Sequence, residues 1–131
     1  MKRIGKTYLL DTNIIVDLFG GDVAIKKKLS AESIMIPSVV IGELYYGAYL
    51  SSRKKSRLLE IDEFISNYEV IHVNQETAQF YGQIKSALKK AGTPIPENDI
   101  WISALALQHQ LIIVSRDRHF KKPENIEVEY W

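Results

Sequence analysis

The chain has 131 residues, 46% of them hydrophobic, which is enough for one well-packed core and too little for two. Its 17 Lys and Arg nearly balance 16 Asp and Glu for a formal net charge of +1, so no global field marks a nucleic-acid or membrane binder, and such contacts must come from local patches. The absence of cysteine excludes disulfide, thiolate and zinc-finger chemistry and fits a reducing compartment.

The start from Met1 to Lys6 is basic, but the apolar run behind it stops at Asp11, too short for a signal-peptide core. No apolar stretch reaches the roughly 20 residues that span a bilayer, which predicts a soluble, cytoplasmic protein with no membrane partner. Tyr8 to Leu10 reads as the first strand, and Ile14 to Phe19 as a short helix ended by Gly20-Gly21. Asp22 is placed to cap a second helix through Leu29. Ile34 to Ile36 is a brief strand closed by Pro37, after which Ser38 is expected to cap a helix running to about Leu50. From Arg53 to Asn67 apolar positions recur at helical spacing, Val70 to Val73 is a strand, and Glu76 to Ala91 is a long helix ended by Gly92. Thr93-Pro94-Ile95-Pro96 cannot continue a helix, so a loop leads to a new one beginning near Asn98. Leu111 to Val114 is the clearest strand, and Ile126 to Tyr130 alternates like a half-exposed edge strand. This alternation of strands and helices predicts an α/β fold, a single domain over residues 1–131 with a parallel sheet.

Four carboxylates interrupt these apolar segments: Asp11 after the first strand, Glu43 within Val39 to Leu44, Asp99 before Ile100-Trp101-Ile102, and Asp117 after Leu111 to Ser115. Asp11 and Asp117 follow their strands at the carboxyl end, where open α/β sheets bind ligands. On the Ser38 helix the row Val39, Glu43, Tyr46, Leu50 is apolar except for Glu43, with Val40, Leu44 and Gly47 alongside, so Glu43 is expected to face inward. Asp99, in a first helical turn, is expected to point toward the sheet. Each acid also has an ordinary role available: Asp11 as a helix cap, Asp99 as a first-turn acid favoured by the helix dipole, Asp117 as a turn residue. Glu43 is hardest to account for that way, because mid-helix glutamates normally face water. Buried unpaired carboxylates cost several kcal/mol. One shared divalent cation, Mg²⁺ or Mn²⁺, accounts for all four at once.

Other groups carry weaker signals. His72, His109 and His119 are scattered, and His119 draws little weight despite its nearness to Asp117. Tyr45, Tyr46 and Tyr49 at helical spacing read as core or interface, and the basic runs Lys26 to Lys28 and Arg53 to Arg57 as solvated faces. Arg116, Arg118, Lys121 and Lys122 flank an acid and are candidates for holding phosphates.

Leu9-Leu10-Asp11-Thr12-Asn13-Ile14, Ser38 to Gly47, Pro96 to Ala104 and Val114 to Phe120 resemble, in order, the signature segments of PIN-domain ribonucleases, and among them most the VapC toxins of toxin–antitoxin pairs. The resemblance covers essentially the whole chain. It implies a PIN-like fold, a central parallel sheet with helices on both faces, and Asp11, Glu43, Asp99 and Asp117 as its acidic site. Asn13 matches the polar residue after the first acid, and Ser115 the small hydroxyl residue two positions before the last. The expected activity is metal-dependent endoribonuclease cleavage leaving a 5′-phosphate and a 3′-hydroxyl. Asp11 and Asp99 would be the principal ligands, Glu43 would help directly or through water, and Asp117 would serve a second cation. Arg116, Arg118 and Lys85 or Lys89 would position the RNA backbone. A cognate antitoxin and a homodimer are the implied partners, with Tyr45 and Tyr49 the residues expected at the dimer face. The main alternative is a catalytically inactive PIN-fold module that binds RNA or protein. A haloacid-dehalogenase-type phosphatase is disfavoured because Asn13 stands where its second Asp belongs. A receiver domain is disfavoured because Val70 to Asn74 offers no Asp to phosphorylate.

Overall fold

The computed structural model describes residues 5–131, so the basic start from Met1 to Ile4 lies outside the described residues. Among the described residues, five strands and six α-helices follow the expected order: β1 (Thr7–Leu10), α1 (Thr12–Phe19), α2 (Val23–Ala31), β2 (Ser33–Pro37), α3 (Ser38–Leu50), α4 (Lys54–Ile65), β3 (Glu69–Ile71), α5 (Gln75–Ala91), α6 (Glu97–His109), β4 (Ile112–Val114) and β5 (Val128–Glu129). The strands form one sheet in the order β3-β2-β1-β4-β5, every neighbouring pair parallel. Successive strand residues point to opposite faces. Leu9 and Leu10, like Ile112, Ile113 and Val114, are all buried, so both faces of the sheet are covered.

The local signals hold in part. Asp22 caps α2 by accepting the Ile25 N–H at 3.0 Å, and Asn74 forms a reciprocal capping box with Thr77 at the start of α5. Ser38 does not cap α3. The strand β2 runs through Pro37 straight into the helix, Pro37 occupies the cap position without a side-chain bond, and Ser38 is already helical. The strands β3 and β5 are shorter than their apolar runs. The helix α6 is buried on almost every side, from Asp99 to Ala106, which is why it carries so little polar surface.

At the end of α5, Gly92 takes a left-handed conformation at φ +71° and donates to the Leu88 and Lys89 carbonyls. A Cβ there would meet no neighbouring atom within 4 Å. Gly92→Ala is therefore expected to lower stability by about 1 kcal/mol through backbone strain alone, read from the midpoint of urea denaturation. An unchanged midpoint would show that this helix end relaxes without the left-handed turn.

Two expectations for α3 are corrected by packing. Its buried row is Val40, Leu44 and Ala48, whereas Tyr46 and Leu50 are 68% and 70% exposed. The row Val39, Glu43, Tyr46, Leu50 thus runs along the rim, and Glu43 is half-buried at its inner end. The tyrosine pair also changes. The Tyr45 hydroxyl donates to Asp62 Oδ1 at 2.5 Å and its ring packs on the core, so the exposed apolar residues are Tyr46, Tyr49 and Leu50.

Candidate active site

From β1 the chain proceeds outward to β2 and β3, and from β4 outward to β5, which makes the β1–β4 pair the point where strand order reverses. The crevice beyond such a point is where open α/β sheets place their chemistry. The Asp11 N–H donates to the Val114 carbonyl at 2.9 Å, tying the end of β1 to the end of β4. Both strands deliver an acid there.

Asp11 is the N-cap of α1 and also lines the acidic pocket. Its Oδ1 accepts the Thr12 N–H at 2.8 Å and its Oδ2 accepts the Ser115 hydroxyl at 2.7 Å. Each oxygen keeps a second lone pair for another partner. The side chain is buried, which raises its pKa against the opposing pull of the Ser115 and Thr12 bonds. Ser115 is the hub beneath it. Its oxygen also accepts the Asp117 N–H at 2.8 Å and faces the Asn13 amide at 3.5 Å, while Asn13 Oδ1 accepts the Arg116 N–H at 3.2 Å.

Asp99 enters from the first turn of α6 and is only 8% exposed. Burial, and then the charges of Asp11 and Asp117, push its pKa up to about 6, although His119 opposes the rise. Glu43 reaches in from α3. Burial foremost, and the charge of Asp11, raise its pKa, while the Thr12 and Asn98 side chains pull it down. Asp117 caps a short 3₁₀ turn, Arg118–Lys121, by accepting the His119 N–H at 2.9 Å. All four acids line a single open pocket, with Asn13 beside them.

The donors fit a divalent cation. Carboxylate oxygens are what Mg²⁺ and Mn²⁺ prefer, and burial first, with the neighbouring acids after it, makes the charged forms of Asp11, Glu43 and Asp99 costly unless a cation is close.

The basic residues divide. The Arg116 guanidinium is bound to Asp17 at 2.6 Å, to Asp22 at 3.0 Å and to the Trp131 carbonyl at 2.9 Å, so although exposed it is tied down and braces the loop carrying Asp117. Lys85 is paired with Glu97 at 3.2 Å and bonded to the Tyr81 hydroxyl. Lys89 is exposed on α5. Arg118 and Lys121 lie against the exposed ring of Tyr130, 5.6 and 5.4 Å from its centroid. His119, to which the sequence draws little attention, turns its ring nitrogen into the site; its only sequence signal is a two-residue spacing from Asp117. Asp22, legible in sequence only as a cap, and Asp17, which also lines the acidic pocket, show their hold on Arg116 only in the fold.

The doubly wound parallel sheet with acids gathered at its reversal point defines an α/β protein with a polar, carboxylate-lined crevice. The chain belongs to the PIN-domain family, whose model matches residues 8–125. It is 32% identical over 128 residues to Ribonuclease VapC2 of Haemophilus influenzae, covering 95% of this chain and 97% of that protein. Its fold is similar to that in the crystal structure of DNA-bound VapBC from Salmonella typhimurium, with a TM-score of 0.90, 29% identity and coverage of 96% of this chain and 98% of that one. VapBC2 from Rickettsia felis, bound to a DNA fragment from its promoter, matches with a TM-score of 0.89, 28% identity and coverage of 95% and 98%.

Proposed function

We propose that the chain is a divalent-metal-dependent endoribonuclease, the toxin of a toxin–antitoxin pair acting in the cytoplasm. The observation that supports this most is the convergence of Asp11, Glu43, Asp99 and Asp117 on one pocket at the sheet's reversal point. A module that only binds RNA has no use for four carboxylates there, since they repel a polyanion unless a cation covers them. Mg²⁺ or Mn²⁺ would be held chiefly by Asp11 and Asp99, with Glu43 and Asp117 at the flanks. When bound, it supplies polarisation of a phosphoryl oxygen and a lowered pKa for the attacking water. Ser115 and Asn13 hold Asp11 and the Asp117 loop in register. Arg118 and Lys89 are the cations we assign to the RNA backbone, where they give affinity without sequence choice; Arg116 supports the loop, and Lys85 is held by Glu97. The test incubates purified chain with RNA in Mg²⁺, in Mn²⁺ and in excess chelator. Cleavage only with metal, leaving 5′-phosphate ends, supports the proposal, and intact RNA in all three overturns it.

The antitoxin's contact is proposed along α3. Tyr46, Tyr49 and Leu50 are exposed, and the groove beside them, lined by Val16, Leu44 and Gly47, continues through Thr12 and Glu43 into the acidic pocket. An apolar segment laid there covers the exposed residues and shades the acids together. Tyr46→Glu with Tyr49→Glu is expected to weaken capture by the antitoxin at least tenfold, about 1.4 kcal/mol, in a titration of the purified pair. Unchanged affinity would remove this face from the proposal. A homodimer is proposed as well; light scattering of the purified wild-type chain that finds only monomer at micromolar concentration overturns it.

A further inference from the structure

His119 sits where a ligand would sit. Its Nδ1 lies 3.2 Å from Asp99 Oδ2 and 3.0 Å from Asp117 Oδ2. One donor atom from each of the three residues falls within 4.8 Å of the others. Adjacent ligands of an octahedral ion with bonds of about 2.1 Å stand about 3.0 Å apart, so the two separations from the His119 nitrogen, which are also hydrogen-bond lengths, match those of neighbouring coordination positions. A single imidazole proton between two carboxylates can satisfy one or the other well. A divalent cation satisfies all three donors at once.

The placement is built into the chain's course. Phe120 is fully buried and anchors the turn, and Asp117 Oδ1 holds the His119 N–H at 2.9 Å, which fixes the backbone from which the ring projects. Asp99 arrives from α6, an element far away in sequence and rigid through burial. The imidazole is thus set against two acids on separate supports.

We propose that His119 is a direct nitrogen ligand of a cation held between Asp99 and Asp117, and that this mixed nitrogen and oxygen set tilts the site toward first-row transition ions over Mg²⁺. The inference rests on the reading of the acidic pocket as a metal centre. Imidazole is a poor ligand for Mg²⁺ and a good one along the transition series, so the nitrogen contributes mainly to the latter. The ring would bind through Nδ1 with its proton on Nε2.

The probe is Mn²⁺ alone, added to the purified full chain without RNA. Pulsed electron spin resonance of the bound ion is expected to show modulation from one directly coordinated imidazole nitrogen, lost in His119→Gln. In parallel, competition titrations should show Mn²⁺ affinity falling about tenfold or more in that variant while Mg²⁺ affinity changes less than about threefold, since loss of an outer partner alone already costs roughly 10–100-fold. The His119 side chain is 45% exposed, so the variant has room to fold, and its melting curve in chelator checks that it has. Mn²⁺ bound without nitrogen modulation, or with modulation that survives His119→Gln, overturns the assignment of His119 and leaves the carboxylate site standing. Failure of Mn²⁺ to bind the wild-type chain overturns both.

Discussion

Asp11→Asn is expected to reduce metal-dependent RNA cleavage by more than about a hundredfold while leaving the far-ultraviolet spectrum and cooperative melting intact. Partners one layer removed from a metal already cost roughly 10–100-fold when lost, and Asp11 is the ligand proposed to bind directly. The fold tolerates the change for a local reason. Asparagine keeps an oxygen to accept the Thr12 N–H, and its amide can donate to the Ser115 oxygen, so cap and hub both survive. Only the charge and one metal-binding oxygen disappear. Asp99→Asn should behave alike. Wild-type turnover by either variant in Mg²⁺ or Mn²⁺ would sink the assignment of the site, whereas loss of activity together with loss of cooperative melting would mean that the acid's role is structural.

The second large effect concerns stability. Folding raises the Asp99 pKa from 3.8 to about 6, chiefly by burial and then by the Asp11 and Asp117 charges. An acid with a raised folded-state pKa binds its proton more tightly in the folded protein, so its ionisation favours unfolding. Metal-free protein therefore loses stability as pH climbs from 3.8 through about 6, and above that range the loss is complete, up to about 3 kcal/mol. Asp99→Asn carries no such penalty. In excess chelator at pH 7.5 it should unfold at higher urea than wild type, and at pH 3.5 the two should nearly coincide. Divalent cation reverses the wild-type loss, adding about 1.4 kcal/mol at ten times its dissociation constant, and the variant should lose most of that gain. A chelator-treated variant that unfolds at lower urea than wild type at pH 7.5, yet keeps the full Mn²⁺ response, would show that these carboxylates do not share one cation.

Much of this architecture is legible in the chain because it depends on local chemistry. The alternation of apolar runs with helical period, the Asp22 cap and the Gly92 stop are short-range signals, and each corresponds to an observed element. Where local signals compete, position in the fold wins. Ser38 has the chemistry of a cap but finds itself inside the helix, because the strand before it consumes Pro37. The inward row drawn through Glu43 fails for a similar reason: helical period identifies a face, but only the neighbouring elements decide which face is covered. On α3 they cover Val40, Leu44 and Ala48 and leave Tyr46 and Leu50 to solvent.

The acids show the same division. Residue type and placement at strand ends and helix starts single out Asp11, Glu43, Asp99 and Asp117, since a carboxylate among apolar residues is costly enough to need a reason wherever the chain goes. Their meeting in one pocket, the Ser115 hub beneath Asp11, the retention of Arg116 by Asp17 and Asp22, and the turning of His119 toward Asp99 are decided by the tertiary structure. Asp99 and His119 stand 20 residues apart in sequence, and Asp11 and Ser115 stand 104 apart. Pairing at such separations follows from how β1 and β4 align and how α6 lies across them, and no local pattern of side chains encodes it.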